Sequence, residues 1–205
     1  MIWKEYFYWF RDNWQKVSLI LAVFLTVYLA VIVLPQSTLL FAVLMAAPLY
    51  MLHQTEEHHI PGGFVPFLNR DIFKADPVRG PCDPNAVLII DMAVWVFMPL
   101  YSLWALTDIH QAIWMPYFYI VQAVIHLVLS IIGKRLYTPG LATAWLLHVP
   151  WAVWTIGLLM QAGEIANPYW NRDLLDSLTV VLYMAVAGLI LNIRYRLKLR
   201  GRPNR

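Results

Sequence analysis

The sequence predicts an all-α membrane protein: a polytopic bundle of about six transmembrane helices with an N-terminal interfacial helix. Three observations predict it: a shortage of charge, recurrent apolar runs of membrane-spanning length, and basic residues sorted to one set of loops. Of the 205 residues, 60% are hydrophobic and 13% charged, whereas soluble domains carry about 25% charged residues. A hydrocarbon core of roughly 30 Å needs about 20 apolar residues in a helix. Runs of that kind occur near 17–34, 37–57, 86–107, 111–133, 141–161 and 174–193. These spans nearly use up the chain, so residues 1–205 are expected to form a single membrane domain.

Ahead of the first run, segment 2–14 mixes Trp3, Tyr6, Phe7, Trp9, Phe10 and Trp14 with Lys4, Glu5, Arg11 and Asp12. Aromatic rings favour the headgroup layer, which predicts an interfacial helix leading into span one. No cleavable signal peptide is expected, because the first apolar run is too long and follows this aromatic segment. In span two Pro48 should kink the helix, and Pro61-Gly62-Gly63 should stop it. Segment 64–84 combines Pro66, Pro77, Pro81 and Pro84 with Phe64, Val65, Phe67, Leu68, Ile72 and Phe73. It should lie along the membrane surface as a short amphipathic element, forming the rim or lid of an inner-leaflet pocket, with Gly62 and Gly63 as a hinge. The lone Cys82 cannot make an internal disulfide.

Orientation follows from the basic residues. Every lysine and arginine except Arg172 falls before span one, in the 60–85 loop, in the 134–140 loop or after span six. Positive charge is retained in the cytoplasm, so the expected location is the cytoplasmic (inner) membrane with both termini cytoplasmic. The tail 194–205 carries Arg194, Arg196, Lys198, Arg200, Arg202 and Arg205 and suits anionic lipid. Membrane lipids are therefore expected partners, and nucleic acid is not.

Depth along the helices, at about 1.5 Å per residue, points to chemistry. His53, Glu56 and Glu57 end span two, Asp91 lies about two turns into span three, and His126 and His148 enter the same inner half from spans four and five. By contrast Asp108, His110, Glu164, Asp173 and Asp176 fall at the outer surface, as do solvated groups; His58 and His59, at the helix stop, also read as interfacial. A charged group at a helix centre costs roughly 2.5–3.5 kcal/mol on insertion, so the deep groups need partners, and one divalent cation would serve several at once. His53 lies three residues before Glu56 and four before Glu57, so either carboxylate can share a helix face with the imidazole. The expected metal set is His53, Glu57, His126 and His148, with zinc as the metal and iron as the alternative. Glu56 is the expected general base and Tyr137 a donor to a developing oxyanion. Asp91 could instead cap or pair with the basic loop near Arg70 or Lys74, and Tyr137 could be an interfacial anchor.

His53-Gln54-Thr55-Glu56-Glu57, then His126, then Tyr137-Thr138-Pro139-Gly140 together resemble the membrane family named for its His-x-x-Glu-Glu motif (HXXEE). The resemblance implies that His53, Glu56, Glu57, His126, Tyr137, Pro139 and Gly140 are the positions that matter; it brings no activity with it. A fainter likeness is to membrane CAAX-type proteases, which pair adjacent glutamates with histidines on later helices, but Pro61 stands where their arginine follows the second glutamate. The function expected from these readings is a metal-dependent membrane hydrolase with a lipid-like or membrane-delivered substrate and a site open to the cytoplasmic leaflet. The rivals are a non-haem (di)iron oxidoreductase and a non-enzymatic protein: a proton-relay transporter, or a subunit with homo-oligomer or membrane-complex partners.

Overall fold

A computed structural model of the chain describes residues 2–200. Arg202 and Arg205 of the basic tail lie outside the described residues. No strand occurs among those described, and six helical stretches are long and apolar enough to cross a membrane: Trp3–Val33, Thr38–His58, Pro84–Trp104, Ile109–Gly133, Leu141–Gln161 and Arg172–Arg200.

Helix α1, Ile2–Tyr28, carries the aromatic segment 2–14 and the first apolar run without a break, and a π-helical turn at Leu29–Val33 ends it. Span two is two helices, α2 (Thr38–Leu44) and α3 (Ala46–His58), interrupted at Met45. Pro48 is the cause: it has no N–H for the carbonyl four residues back. Ser37 caps α2 by accepting from Leu40 N. At the other end α3 stops as expected, with Gly62 at φ 72° and Gly63 at φ 96° turning the chain.

The following segment is ordered by packing. Helix α4, Phe64–Phe67, runs into a π-helical turn at Leu68–Ile72. Buried Asn69 pins the proline-rich stretch: its Oδ1 accepts from Cys82 N at 2.9 Å, and its Nδ2 donates to the carbonyls of Pro77 and Cys82. Asp71 holds the segment to the 134–140 loop through Arg135 at 2.7 Å. Helix α5, Pro84–Trp104, begins with Asp83 accepting from Asn85 N and Ala86 N and with Pro84 in its first turn.

A 3₁₀ turn at Ile109–Ala112 leads to α6, Trp114–Gly133. Helix α7, Leu141–Thr143, continues through a π-helical turn at Ala144–His148 into α8, Val149–Gln161. Helix α9 spans Arg172–Arg200, so the basic residues 194–200 are helical.

Burial identifies the centre. Two-thirds (67%) of the span-two window is buried, against 17% for the first span and 6% for the last. The motif helix α3 is therefore the core element, packed against α1, α5 and the 144–148 turn, while α9 lies on α6. Polar cross-links between helices reinforce the packing: Trp95 Nε1 donates to Ser18 Oγ, Trp151 Nε1 to the Ala42 carbonyl and Tyr119 OH to the Ala46 carbonyl.

Candidate metal centre

Helical spacing sorts the motif into two jobs. His53 and Glu57, four residues apart on α3, share a face, and His53 Nε2 lies 3.5 Å from Glu57 Oε1. His126 on α6 meets the same oxygen, with Nε2 at 3.3 Å. The two imidazoles stand edge-on, 4.8 Å between ring centres. One donor atom from each of the three buried residues lies within 4.8 Å of the others. Donors bound to a tetrahedral zinc at about 2.0–2.1 Å are separated by about 3.4 Å, so the two closest separations match the edges of such a site.

The surrounding hydrogen bonds suit metal binding. Thr143 Oγ1 donates to the Gly140 carbonyl and lies 2.8 Å from His53 Nδ1. It must then accept from Nδ1–H, which puts the lone pair of His53 on Nε2, the nitrogen that faces the trio. Gln54 Nε2 donates to Glu57 Oε2 at 2.9 Å, leaving Oε1 to face the imidazoles. Gln122 Nε2 lies 3.0 Å from His53 Nε2 and donates to that lone pair, a bond that a bound cation would replace. Buried polar atoms without a hydrogen-bond partner gather here: Gln54 Oε1, His58 Nε2, Gln122 Oε1, His126 Nδ1 and His148 Nδ1. Each such atom costs about 1–3 kcal/mol; none of them is a donor of the trio, and the fit to a cation rests on the donor set itself, two imidazole nitrogens and one carboxylate oxygen.

Glu56 faces elsewhere. Its Oε1 accepts from Tyr137 OH at 2.8 Å and Ala142 N at 3.1 Å, and its Oε2 accepts from Thr143 N at 2.6 Å. The carboxylate expected to act as base is thus the anchor of the 137–143 turn, at the N-terminus of α7. Tyr137, expected to face an oxyanion, spends its hydroxyl on Glu56, and burial together with that carboxylate pushes its phenol well above its ordinary pKa.

The anchored turn closes on the trio. Gly140 has φ 88°, and a Cβ there would lie 2.5 Å from His126 Cε1 and 2.8 Å from both Glu57 Cγ and His53 Cε1. The Tyr-x-Pro-Gly element therefore presents bare backbone to the centre, and only glycine leaves the three side chains their room. Ser130 Oγ and Thr138 Oγ1, 2.8 Å apart, hold the same turn to α6.

Three other residues, His58, Asp91 and His148, are placed differently from expectation. His58 is buried rather than interfacial, and its Nε2 stands 3.0 Å from Asp91 Oδ2, at ion-pair distance without hydrogen-bond direction. Asp91 thus pairs with His58 and not with Arg70 or Lys74. His148 lies outside the trio: its Nε2–H donates to the Leu49 carbonyl at 3.2 Å, and its ring stands between Tyr119 and His53 at 4.1 and 4.7 Å. At the opposite end of the bundle His110 and Glu164 pair at 3.3 Å and are partly exposed.

The centre opens onto an apolar cavity of about 360 Å³. Glu57, His58, Asp91, Gln122 and His126 give it one polar wall, and the rest is apolar side chains of α5, α6 and α9. The surface segment contributes as its sequence suggested, through Phe64, Leu68, Ile72 and Phe73. Phe64 packs on the rings of both His58 and His126. Phe67 departs from the expectation and sits against Gly133, where a Cβ would come within 2.7 Å of its ring.

Gln54, Gln122, Thr143 and His58 were not singled out by motif or depth. A signal for Gln122 was present: with His126 and Ser130 it forms a polar stripe of four-residue spacing on an otherwise apolar helix.

No curated protein and no solved structure matches the chain. A family profile, described as a protein of unknown function with HXXEE motif, matches residues 43–155, the stretch that holds the trio, the Glu56-anchored turn and Gly140. The chain therefore belongs to the HXXEE family.

Proposed function

We propose that the protein is a metal-dependent membrane hydrolase whose centre is His53, Glu57 and His126 and whose substrate is lipid-like. The observation that carries this reading is the pair of 3.3 and 3.5 Å separations around Glu57 Oε1, set in the polar wall of an apolar cavity. Two histidines and a glutamate with an open fourth position are a catalytic zinc set. Zinc held there would acidify a water and polarise an acyl carbonyl.

The remaining roles belong to side chains around the trio. Asp91, beside His58, is the carboxylate available to take the water's proton, because Glu56 is committed to the 137–143 turn. Water oxygen bonds to the acyl carbon, the bond to the leaving group breaks, and the leaving atom takes the proton that Asp91 holds. Gln54 and Thr143 fix the orientation of Glu57 and His53. The test is hydrolysis of a long-chain ester by protein in detergent: a chelator should abolish turnover and zinc should restore it. Chelator-resistant turnover, or proton conductance across vesicles without hydrolysis, would overturn the reading.

The basic asymmetry supports a cytoplasmic-membrane location with both termini and the 60–85 and 134–140 loops cytoplasmic. Labelling of introduced cysteines tests this cleanly, because burial pushes the Cys82 thiol up to about 12 and leaves it unreactive. Gln36→Cys and Asn167→Cys should react with an impermeant reagent from outside intact cells. Reaction from the cytoplasmic side alone would invert the orientation.

A further inference from the structure

The cavity beside the centre has a definite size and a definite polarity, and both constrain what it accepts. A cavity of about 150 Å³ lined by apolar side chains takes one benzene, a six-carbon ligand. On that scale the 360 Å³ here takes roughly fourteen carbons. Its lining has polar groups only where α3, α5 and α6 meet the centre. Opposite them, α9 presents Val181, Met184, Ala185 and Gly188, one helical face whose small residues leave the space open. Helix α9 packs chiefly on α6 and touches α5 lightly. Glu57, Gln122 and His126 on the polar wall match a ligand with a polar group joined to the chain, and a bare hydrocarbon would meet none of their hydrogen-bonding capacity.

We propose that the cavity binds a single-chain amphiphile, one alkyl or isoprenoid chain of about fourteen carbons, with its ester, amide or carboxylate group against Glu57, His126 and Gln122. This deepens the hydrolase reading and rests on it for the identity of the scissile group. One chain of a diacyl lipid reaches about 15 Å, half the hydrocarbon core, and already fills the space, so the second chain would have to stay outside the cavity. The headgroup end then lies toward Phe64 and the cytoplasmic interface.

The experiment measures binding of radiolabelled myristate to the full-length protein in detergent, with octanoate, stearate and dimyristoyl phosphatidylcholine as competitors. One-to-one binding is expected, strongest for myristate. Octanoate should be at least about tenfold weaker because it leaves a void, and stearate weaker because it does not fit. Gly188→Leu should abolish myristate binding with metal content unchanged. A Cβ at Gly188 makes only an ordinary contact, 3.7 Å from Phe73, so the backbone tolerates the change. Equal competition by the diacyl lipid, or affinity independent of chain length, would overturn the proposal and leave the metal reading standing. Chain-length-selective binding by a protein that never holds metal would do the reverse.

Discussion

Replacing Gly140 by alanine is expected to destabilise the protein by about 2–5 kcal/mol and to abolish metal binding. Two effects add. The backbone at φ 88° is strained for any residue with a Cβ, worth about 1–2 kcal/mol. The methyl group would also arrive within 2.8 Å of His53, Glu57 and His126 together, none of which can retreat without breaking the trio. Gly163 separates the two effects, since it has φ 80° with open space around it. Gly163→Ala should therefore cost only the strain and leave metal content alone. Thermal unfolding in detergent and metal analysis of both variants check this, and equal behaviour of the two would show that Gly140 serves only as a turn residue.

The adjacent glutamates are expected to fail in different ways. Glu57→Gln removes the charge shared by both imidazoles, so metal affinity should fall by at least about 100-fold while the fold survives. Glu56→Gln puts an amide N–H against Thr143 N–H, Ala142 N–H or the Tyr137 hydroxyl, all of which now donate to a carboxylate. It should cost about 1–3 kcal/mol of stability and loosen the 137–143 turn, with metal still bound. Tyr137→Phe should reproduce a smaller part of that loss. A Glu56→Gln protein with normal stability, full metal and no turnover would return the base role to Glu56.

These contrasts also mark what the sequence could reveal. Hydrophobic runs of span length announce themselves locally, so the six helices, the stop at Gly62 and Gly63 and the break caused by Pro48 were legible. Helical spacing and depth put His53 on a face with one of the two glutamates and brought His126 to the same stratum; they did not say which glutamate. The fate of Glu56 was not legible, because nothing local to α3 shows that residues 137–143 will arrive with three donors. His58 looked interfacial because it precedes a helix stop, yet Trp14 and Phe64 pack on its ring and Asp91 meets it. Gly140 was marked only by the motif it ends; its approach to three side chains from two other helices is purely tertiary.

The central claim is that His53, Glu57 and His126 hold one metal ion, and X-ray absorption at the zinc edge tests it most directly. Protein purified without added metal should contain about one zinc per chain, with two imidazole nitrogens and a carboxylate oxygen at about 2.0–2.1 Å. A His53→Ala/His126→Ala double variant should contain none. Wild-type protein free of stoichiometric metal, or a double variant that keeps it, would contradict the account.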